Sequence, residues 1–154
     1  PDALAVAHLH TPYATLFTIA QRKFQPVTLQ GAIFADGVPL YPEAQLITNP
    51  ARGAALLKVM VDKRVVLLRG HGIVVAGKNP QEVLYSALVL EDDAKKSWQA
   101  AALGEVGILS EEECRAFGAE IALERRAQRA WNYFCSLEKR WDHQPSTGRS
   151  ELFP

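Results

Sequence analysis

The first apolar pattern along the chain has the period of a β-strand. Over residues 3–10 every second side chain shares a face, and Leu4, Val6, His8 and His10 fall on the same one. The opposite face carries small or apolar residues, so neither face looks solvated. The pattern predicts a buried strand that presents two histidines on one side.

A helix start follows this strand directly. Thr11 can accept a hydrogen bond from the free N–H groups of a first helical turn, and Pro12 fits that turn without needing a donor of its own. The sequence therefore predicts a helix from Tyr13 to about Lys23, with His10 at the turn between strand and helix.

The middle of the chain gives a weaker pattern, followed by a second helix. Val27 to Phe34, a turn at Gly37 and the segment Pro39 to Pro42 are typical of short strands and loops. Asn49 before Pro50 then predicts a helix that ends near Lys63. The side chains expected to face the core from this helix are Leu56, Leu57, Met60 and Val61.

Two β-branched runs, Arg64 to Arg69 and Ile73 to Ala76, flank the tripeptide Gly70-His71-Gly72. Glycine tolerates backbone conformations that other residues avoid, so this arrangement predicts two strands that meet at a tight bend or bulge. His71 is then held at the apex of the bend.

Two capping signals predict the remaining helices. Asn79-Pro80 with Glu82 begins one that reaches Gly104, and Ser110 with Glu113 forms a capping box for a last long helix reaching at least Trp141. Strands mixed with helices of this length favour an α/β sandwich. The core-facing positions expected on the first of these helices are Val83, Ala87, Leu90, Ala94 and Trp98.

Length and charge narrow the classes of function. The 154 residues predict one domain over 1–144 followed by a polar tail over 145–154. The formal net charge of zero argues against nucleic acid and anionic membranes as partners, and no apolar run approaches the roughly 18 residues that span a bilayer. Cys114 and Cys135 fall on one predicted helix, too far apart to pair, which favours reduced thiols in the cytoplasm.

His8, His10 and His71 are candidate metal ligands. Residues two apart on a strand point the same way, so His8 and His10 could grip one ion, and the glycines around His71 leave room for its ring. Three histidines leave a coordination position open for substrate, as in catalytic sites. Two alternatives remain: a chance His-x-His beside a turn histidine, or a structural site that needs a fourth protein ligand.

Two motifs turn this pattern into a resemblance. The two motifs occur in this order along the chain: Ala7-His8-Leu9-His10-Thr11-Pro12-Tyr13-Ala14-Thr15, then Leu67-Leu68-Arg69-Gly70-His71-Gly72-Ile73-Val74-Val75-Ala76-Gly77. A later segment is Leu90-Glu91-Asp92-Asp93-Ala94-Lys95. Together these segments resemble the class II aldolase/adducin family. The resemblance covers the chain to about Leu103. It implies a three-layer αβα sandwich with a central, mostly antiparallel sheet.

The resemblance also implies chemistry. In the family, the histidines matching His8, His10 and His71 hold Zn²⁺ or another divalent ion such as Mn²⁺, which stabilises the enediolate formed when a carbon–carbon bond breaks. The expected function is a metal-dependent lyase, either a decarboxylase of a hydroxylated aromatic or dienoic acid or a retro-aldol enzyme. A sugar-phosphate aldolase or epimerase, and a non-catalytic adducin-like module, are the alternatives. A cytoplasmic homo-oligomer, usually a tetramer, with a small-molecule substrate is implied as well.

Three further residues are candidates beside the metal. Tyr13 is either a pocket wall or part of a helix core, and Tyr133 is either a proton donor across a subunit interface or one residue of a packing helix. His143 follows the last helix and is either solvated or placed at a neighbouring site.

The resemblance departs from the family at the beginning of the chain. Pro1-Asp2-Ala3 lies just before the first histidine motif, whereas family members carry an N-terminal portion with substrate-binding loops and an acidic residue that acts as base. We therefore expect the catalytic acid or base to lie upstream of this chain. Either the chain is a fragment of a longer protein or its beginning was lost, and in both cases the chain alone could bind metal without turning over substrate.

Overall fold

The structure, a computed structural model, describes residues 3–120 and 122–142. Along the described chain the strands are mixed with helices, as the sequence patterns predict for an α/β protein. The elements, in order, are β1 (Ala5–Leu9), α1 (Pro12–Ile19), a 3-10 helix (Gln30–Phe34), β2 (Leu40–Tyr41), α2 (Pro50–Met60), β3 (Val65–Leu68), β4 (Gly72–Gly77), α3 (Pro80–Ala100), α4 (Glu111–Glu120) and α5 (Leu123–Asp142).

A single four-stranded sheet in the order β1-β4-β3-β2 forms the centre of the described residues. β4 pairs antiparallel with both β1 and β3, and only β2 and β3 run parallel. Val65, Leu67, Ile73 and Val75 project toward the core under α1 and α3, while the alternate strand residues face α2. The predicted three-layer αβα sandwich with a mostly antiparallel sheet is confirmed.

The burial predicted for the first strand is wrong. Strand β1 has the expected period, and Ala5 and Ala7 pack against the main core. It is, however, an edge strand, and α2 packs on β2 and β3, toward the opposite edge of the sheet, so α2 does not cover β1. Leu4 and Val6 are therefore 86% and 69% exposed, and His8 and His10 share an exposed face.

Residues 27–34, predicted as strand and loop, form a loop and the 3-10 helix. The physical reason lies in Asp93 of α3, which has no exposed surface. Its carboxylate accepts the backbone N–H groups of Val27 and Thr28, at 3.0 and 2.9 Å, and also the Thr28 hydroxyl. Backbone donors committed to a buried carboxylate are not available to a neighbouring strand.

Two predicted helices differ in their ends and faces. Helix α1 ends at Ile19 rather than Lys23, and α2 ends at Met60 rather than Lys63. On α2 the side chains of Leu56 and Met60, four residues apart, are buried. Leu57 and Val61 point about 100° away on the helix and are 67% and 77% exposed, so their predicted core positions are wrong.

Helix α3 is the longest element among the described residues, and its start is confirmed. The Asn79 side chain accepts the backbone N–H of Glu82, which caps the first turn. The predicted core stripe on α3 is buried except for Trp98, which is 54% exposed because it lies near the end of the helix beyond the sheet. The helix thus provides the surface on which α1 and α5 pack.

The single last helix predicted from Ser110 is wrong, because α4 ends at Glu120 and α5 begins at Leu123. α4 packs on the 3-10 helix whereas α5 packs on α3, so the two helices have different neighbours. The capping box itself is confirmed, with Ser110 and Glu113 each donating a backbone N–H to the other's side chain. The tail over 145–154 lies outside the described residues.

The two cysteines therefore lie on different helices, Cys114 on α4 and Cys135 on α5, and both are free. Within the described ranges, no helix is long and apolar enough to cross a bilayer.

Candidate metal centre

The end of strand β1 and the β3–β4 turn bring three histidine rings together. Strand pairing sets Leu9 opposite Ile73, so His10 leaves the sheet beside the turn that carries His71. The Nε2 atom of His10 lies 3.1 Å from Nε2 of His8 and 3.0 Å from Nε2 of His71. The ring centroids are 4.7 to 4.9 Å apart, so all three rings point at a common centre.

Both glycines around His71 are required by the geometry. Gly70 has φ of +64°, a left-handed conformation that side chains disfavour, and its N–H donates to the Thr18 hydroxyl at 2.9 Å. A Cβ on Gly72 would overlap the carbonyl oxygen of Leu9 and lie 3.2 Å from the Cα of His10. The close approach of β1 to β4 at this point is what places His10 beside His71.

A backbone carbonyl orients the first histidine. Nδ1 of His8 lies 3.0 Å from the carbonyl oxygen of Ile73, which can only accept a hydrogen bond. Nδ1 therefore carries the proton in the neutral ring, and the lone pair of Nε2 points to the other two rings. Partners of this kind fix the tautomer of metal-ligating histidines.

The surroundings of the third histidine favour its neutral form. Burial first, and then the neighbouring His8 and His10, lower the pKa of His71 below its ordinary value of 6.5. A neutral imidazole has the lone pair that a metal ion needs, whereas a protonated ring repels the ion. The site is thus prepared to bind a cation at neutral pH, and acid would oppose binding.

The spacing of the three nitrogens fits a divalent transition metal. Two ligands at the Zn–N distance of about 2.0–2.1 Å and at a tetrahedral angle lie about 3.3 Å apart. The observed separations of 3.1 and 3.0 Å are close to that value. Among residues 3–120 and 122–142, no fourth histidine, cysteine or carboxylate joins the cluster. An ion held there would keep an open position, as the exposed rings of His8 and His10 also indicate.

The start of α1, beside this cluster, is held by a residue whose role sequence patterns did not predict. Glu91 of α3 accepts the backbone N–H of Tyr13 at 2.7 Å and that of Ala14 at 2.9 Å, one with each carboxylate oxygen. The Thr11 side chain, expected to cap the helix, makes no capping bond, and its hydroxyl is buried without a partner. The sequence signal that could have indicated this role is the position of Glu91 directly after Leu90, at the border of the buried face of the helix.

Tyr13 lies on α1 with its ring half-buried between α1 and α3. The ring centroid is 5.7 Å from that of Trp98, and the Lys95 ammonium lies 5.4 Å from the Tyr13 centroid. These contacts place its ring against α3.

Tyr133 lies on α5, which packs on α3 rather than on the strands that carry the histidines. Its side chain is 56% exposed, and its ring meets that of Phe134 at 5.4 Å between centroids. His143 lies outside the described residues. The structure thus gathers His8, His10 and His71 into one cluster.

The structure is an αβα sandwich in which three histidines, a candidate metal centre, come together beside the β3–β4 turn. The same fold is found in L-fuculose 1-phosphate aldolase from Glaciozyma antarctica PI12, at a TM-score of 0.76 and 18% identity, over 91% of this chain and 55% of that one. Residues 1–98 match the family model described as class II aldolase and adducin N-terminal domain. The chain belongs to the class II aldolase and adducin family.

Two curated relatives carry different activities in their names. The 3,4-dihydroxyphthalate decarboxylase of Rhodococcus jostii (strain RHA1) is 35% identical over 109 residues, which cover 68% of this chain and 45% of that protein. The 5-deoxy-D-ribulose 1-phosphate aldolase of Bacillus thuringiensis serovar kurstaki is 29% identical over 112 residues, 73% of this chain and 52% of that protein. The chain spans about half the length of these relatives.

Proposed function

We propose that His8, His10 and His71 bind one divalent metal ion and that the chain is the metal-binding part of a carbon–carbon lyase. The observation that carries the proposal is a cluster in which Nε2 of His10 lies 3.1 Å from Nε2 of His8 and 3.0 Å from Nε2 of His71, with no fourth ligand among the described residues. Zn²⁺ is the ion that three imidazoles at near-tetrahedral spacing suit best, and Mn²⁺ is the alternative.

The site's chemistry follows from its open position. A divalent ion bound there would polarise a substrate oxygen and stabilise the negative charge left when an adjacent carbon–carbon bond breaks. The residues of this chain hold three rings in one orientation, through the Ile73 carbonyl, the Gly70–Gly72 turn and the β1–β4 pairing. They leave one side of the cluster accessible, so a small substrate can approach from solvent. The acid or base is expected elsewhere in the protein.

Decarboxylation of a hydroxylated aromatic acid is the reaction we favour. The support is the greater similarity of the chain to a 3,4-dihydroxyphthalate decarboxylase than to a ribulose-phosphate aldolase. Adjacent phenolic oxygens and a carboxylate would offer a metal ion two oxygen ligands from the substrate. Retro-aldol cleavage of a sugar phosphate is the second candidate, because it leaves the same kind of charge to be stabilised and has a named relative.

Substrate assays separate these reactions. We expect the purified full-length protein that contains this chain, loaded with Zn²⁺, to release carbon dioxide from 3,4-dihydroxyphthalate and to produce no aldehyde from fuculose 1-phosphate. A chelator should abolish the activity and added Zn²⁺ should restore it. Aldehyde release with no carbon dioxide would favour the aldolase, and turnover that a chelator leaves unchanged would contradict metal dependence. A protein that binds Zn²⁺ but turns over neither substrate class would point to an adducin-like binding module.

We also propose that the chain works as a homo-oligomer, a tetramer by resemblance to the family. The exposed apolar side chains of Val6, on the edge strand β1, and of Leu4, just before it, support an interface. In that arrangement Tyr133 or His143 could reach the site of a neighbouring subunit. Light scattering should give the mass of an oligomer, and Tyr133→Phe and His143→Ala should lower kcat with little change in bound metal. A monomeric mass, or unchanged kcat in both variants, would contradict this assignment.

A further inference from the structure

We infer that Glu91 is a positioning residue for the metal site, one that both anchors the start of α1 and cancels its positive end beside the bound ion. The inference rests on the proposed metal-binding function. It assigns a role to a carboxylate that touches none of the three histidines in any observed hydrogen bond or ring contact of the described residues.

The contact is a two-point clamp between α3 and the chain just after the metal ligands. One oxygen of Glu91 accepts the N–H of Tyr13 at 2.7 Å, and the other accepts the N–H of Ala14 at 2.9 Å. Tyr13 follows His10 by three residues, so the clamp lies within about 11 Å of that ligand along the chain. Only two residues, Thr11 and Pro12, separate the clamp from His10, so we infer that loss of the clamp changes the placement of His10.

The Glu91 carboxylate also offsets the partial positive charge at the start of α1. Helix α1 begins at Pro12, immediately beyond His10, and the start of a helix carries roughly half a positive charge. A divalent cation bound at His10 would be repelled by that partial charge. A carboxylate placed on the first N–H groups of the helix reverses the sign of the local field and favours the cation.

No residue of α1 itself supplies this negative charge. The first turn of the helix contains no acidic residue, and Pro12 is the first helical residue. Thr11, the N-cap residue, leaves its hydroxyl unpartnered and its position without a side-chain cap. The cap comes instead from Glu91, which is distant in sequence, so α3 and the metal site are coupled through one side chain.

Asp93 provides a matched comparison on the same helix. It too is a carboxylate of α3 that accepts two backbone N–H groups, those of Val27 and Thr28. Those residues precede the 3-10 helix and do not lead to a histidine of the cluster. If Glu91 served only to tie two segments together, removing either charge would have the same consequences for the metal.

The experiment measures Co²⁺ binding by its visible absorption bands, and thermal unfolding of the metal-free protein, in Glu91→Gln and Asp93→Asn. We expect both variants to melt at a lower temperature. Only Glu91→Gln should bind Co²⁺ more weakly, by about tenfold, the order found for residues that support metal ligands, and with altered bands. Glu91→Asp, which keeps the charge, should remain within about threefold of the original affinity.

Glu91→Gln with the original affinity and spectrum would overturn the inference while leaving the proposed metal site intact. An equal loss in Asp93→Asn would also overturn it, because the effect would then be general destabilisation. If Glu91→Gln does not fold, weak binding in the folded Glu91→Asp variant would count against the role of the charge. Absence of Co²⁺ binding by the unsubstituted protein would instead remove the proposed function and this inference together.

Discussion

Gly72→Ala perturbs the fold and the metal site together, because the end of β1, which leads to His10, passes directly over Gly72. The added Cβ would overlap the Leu9 carbonyl oxygen and lie 3.2 Å from the Cα of His10, both of them backbone atoms that cannot rotate away. Relief requires β1 and β4 to separate at the Leu9–Ile73 pair. Overpacking of this kind costs about 1–3 kcal/mol.

Thermal unfolding and Co²⁺ titration together test this expectation. For a chain of this length each kcal/mol lowers the melting temperature by about 2–4 °C, so Gly72→Ala should melt about 2–12 °C below the original protein. The Co²⁺ affinity should fall as well, because His10 moves with the strand.

Gly53→Ala is the matched control for Gly72→Ala. Gly53 lies inside α2 with open space around it, and alanine there should raise stability by about 0.5–1 kcal/mol without affecting Co²⁺. A Gly72→Ala protein that melts at or above the original temperature, or that binds Co²⁺ equally well, would refute the reasoning.

Other predictions concern the helices. Asn79→Ala should destabilise by about 0.5–2 kcal/mol in urea unfolding, because the N–H of Glu82 loses its cap. Burial raises the pKa of Asp93, against the opposing effect of its hydrogen bonds. The carboxyl therefore contributes stability at about pH 4 that is lost as pH rises through the raised pKa. The loss of stability caused by Asp93→Asn should then be smaller at pH 7 than at pH 4, and an equal loss at both pH values would contradict this sign. The buried Cys114, whose thiol pKa is raised by burial, should react with a thiol reagent much more slowly than the half-buried Cys135.

The sequence could predict the features of the site that depend on neighbouring residues in the chain. Alternation placed His8 and His10 on one face, and glycines on both sides of His71 marked the turn, which needs a positive φ at Gly70 and no side chain at Gly72. Both features act over a few residues. The pairing of β1 with β4, which joins segments more than sixty residues apart, then brings the two motifs together.

What sequence could not predict depends on contacts between distant segments. The exposure of Leu4 and Val6 follows from the position of β1 at the sheet edge, which alternation alone does not specify. Glu91 caps α1, and Asp93 holds the loop before the 3-10 helix, through hydrogen bonds between residues more than sixty positions apart. The end of α4 at Glu120 and the start of α5 at Leu123 accompany a change of packing neighbour, from the 3-10 helix to α3.

The central claim is that three histidines form one divalent-metal site, and metal content tests it most directly. Purified protein, loaded with Zn²⁺ and dialysed, should retain one equivalent of metal per chain by mass spectrometry, while His71→Ala and His10→Ala should retain almost none and remain folded by circular dichroism. Retention of no metal by the original protein, or full retention by the folded His71→Ala variant, would contradict the account.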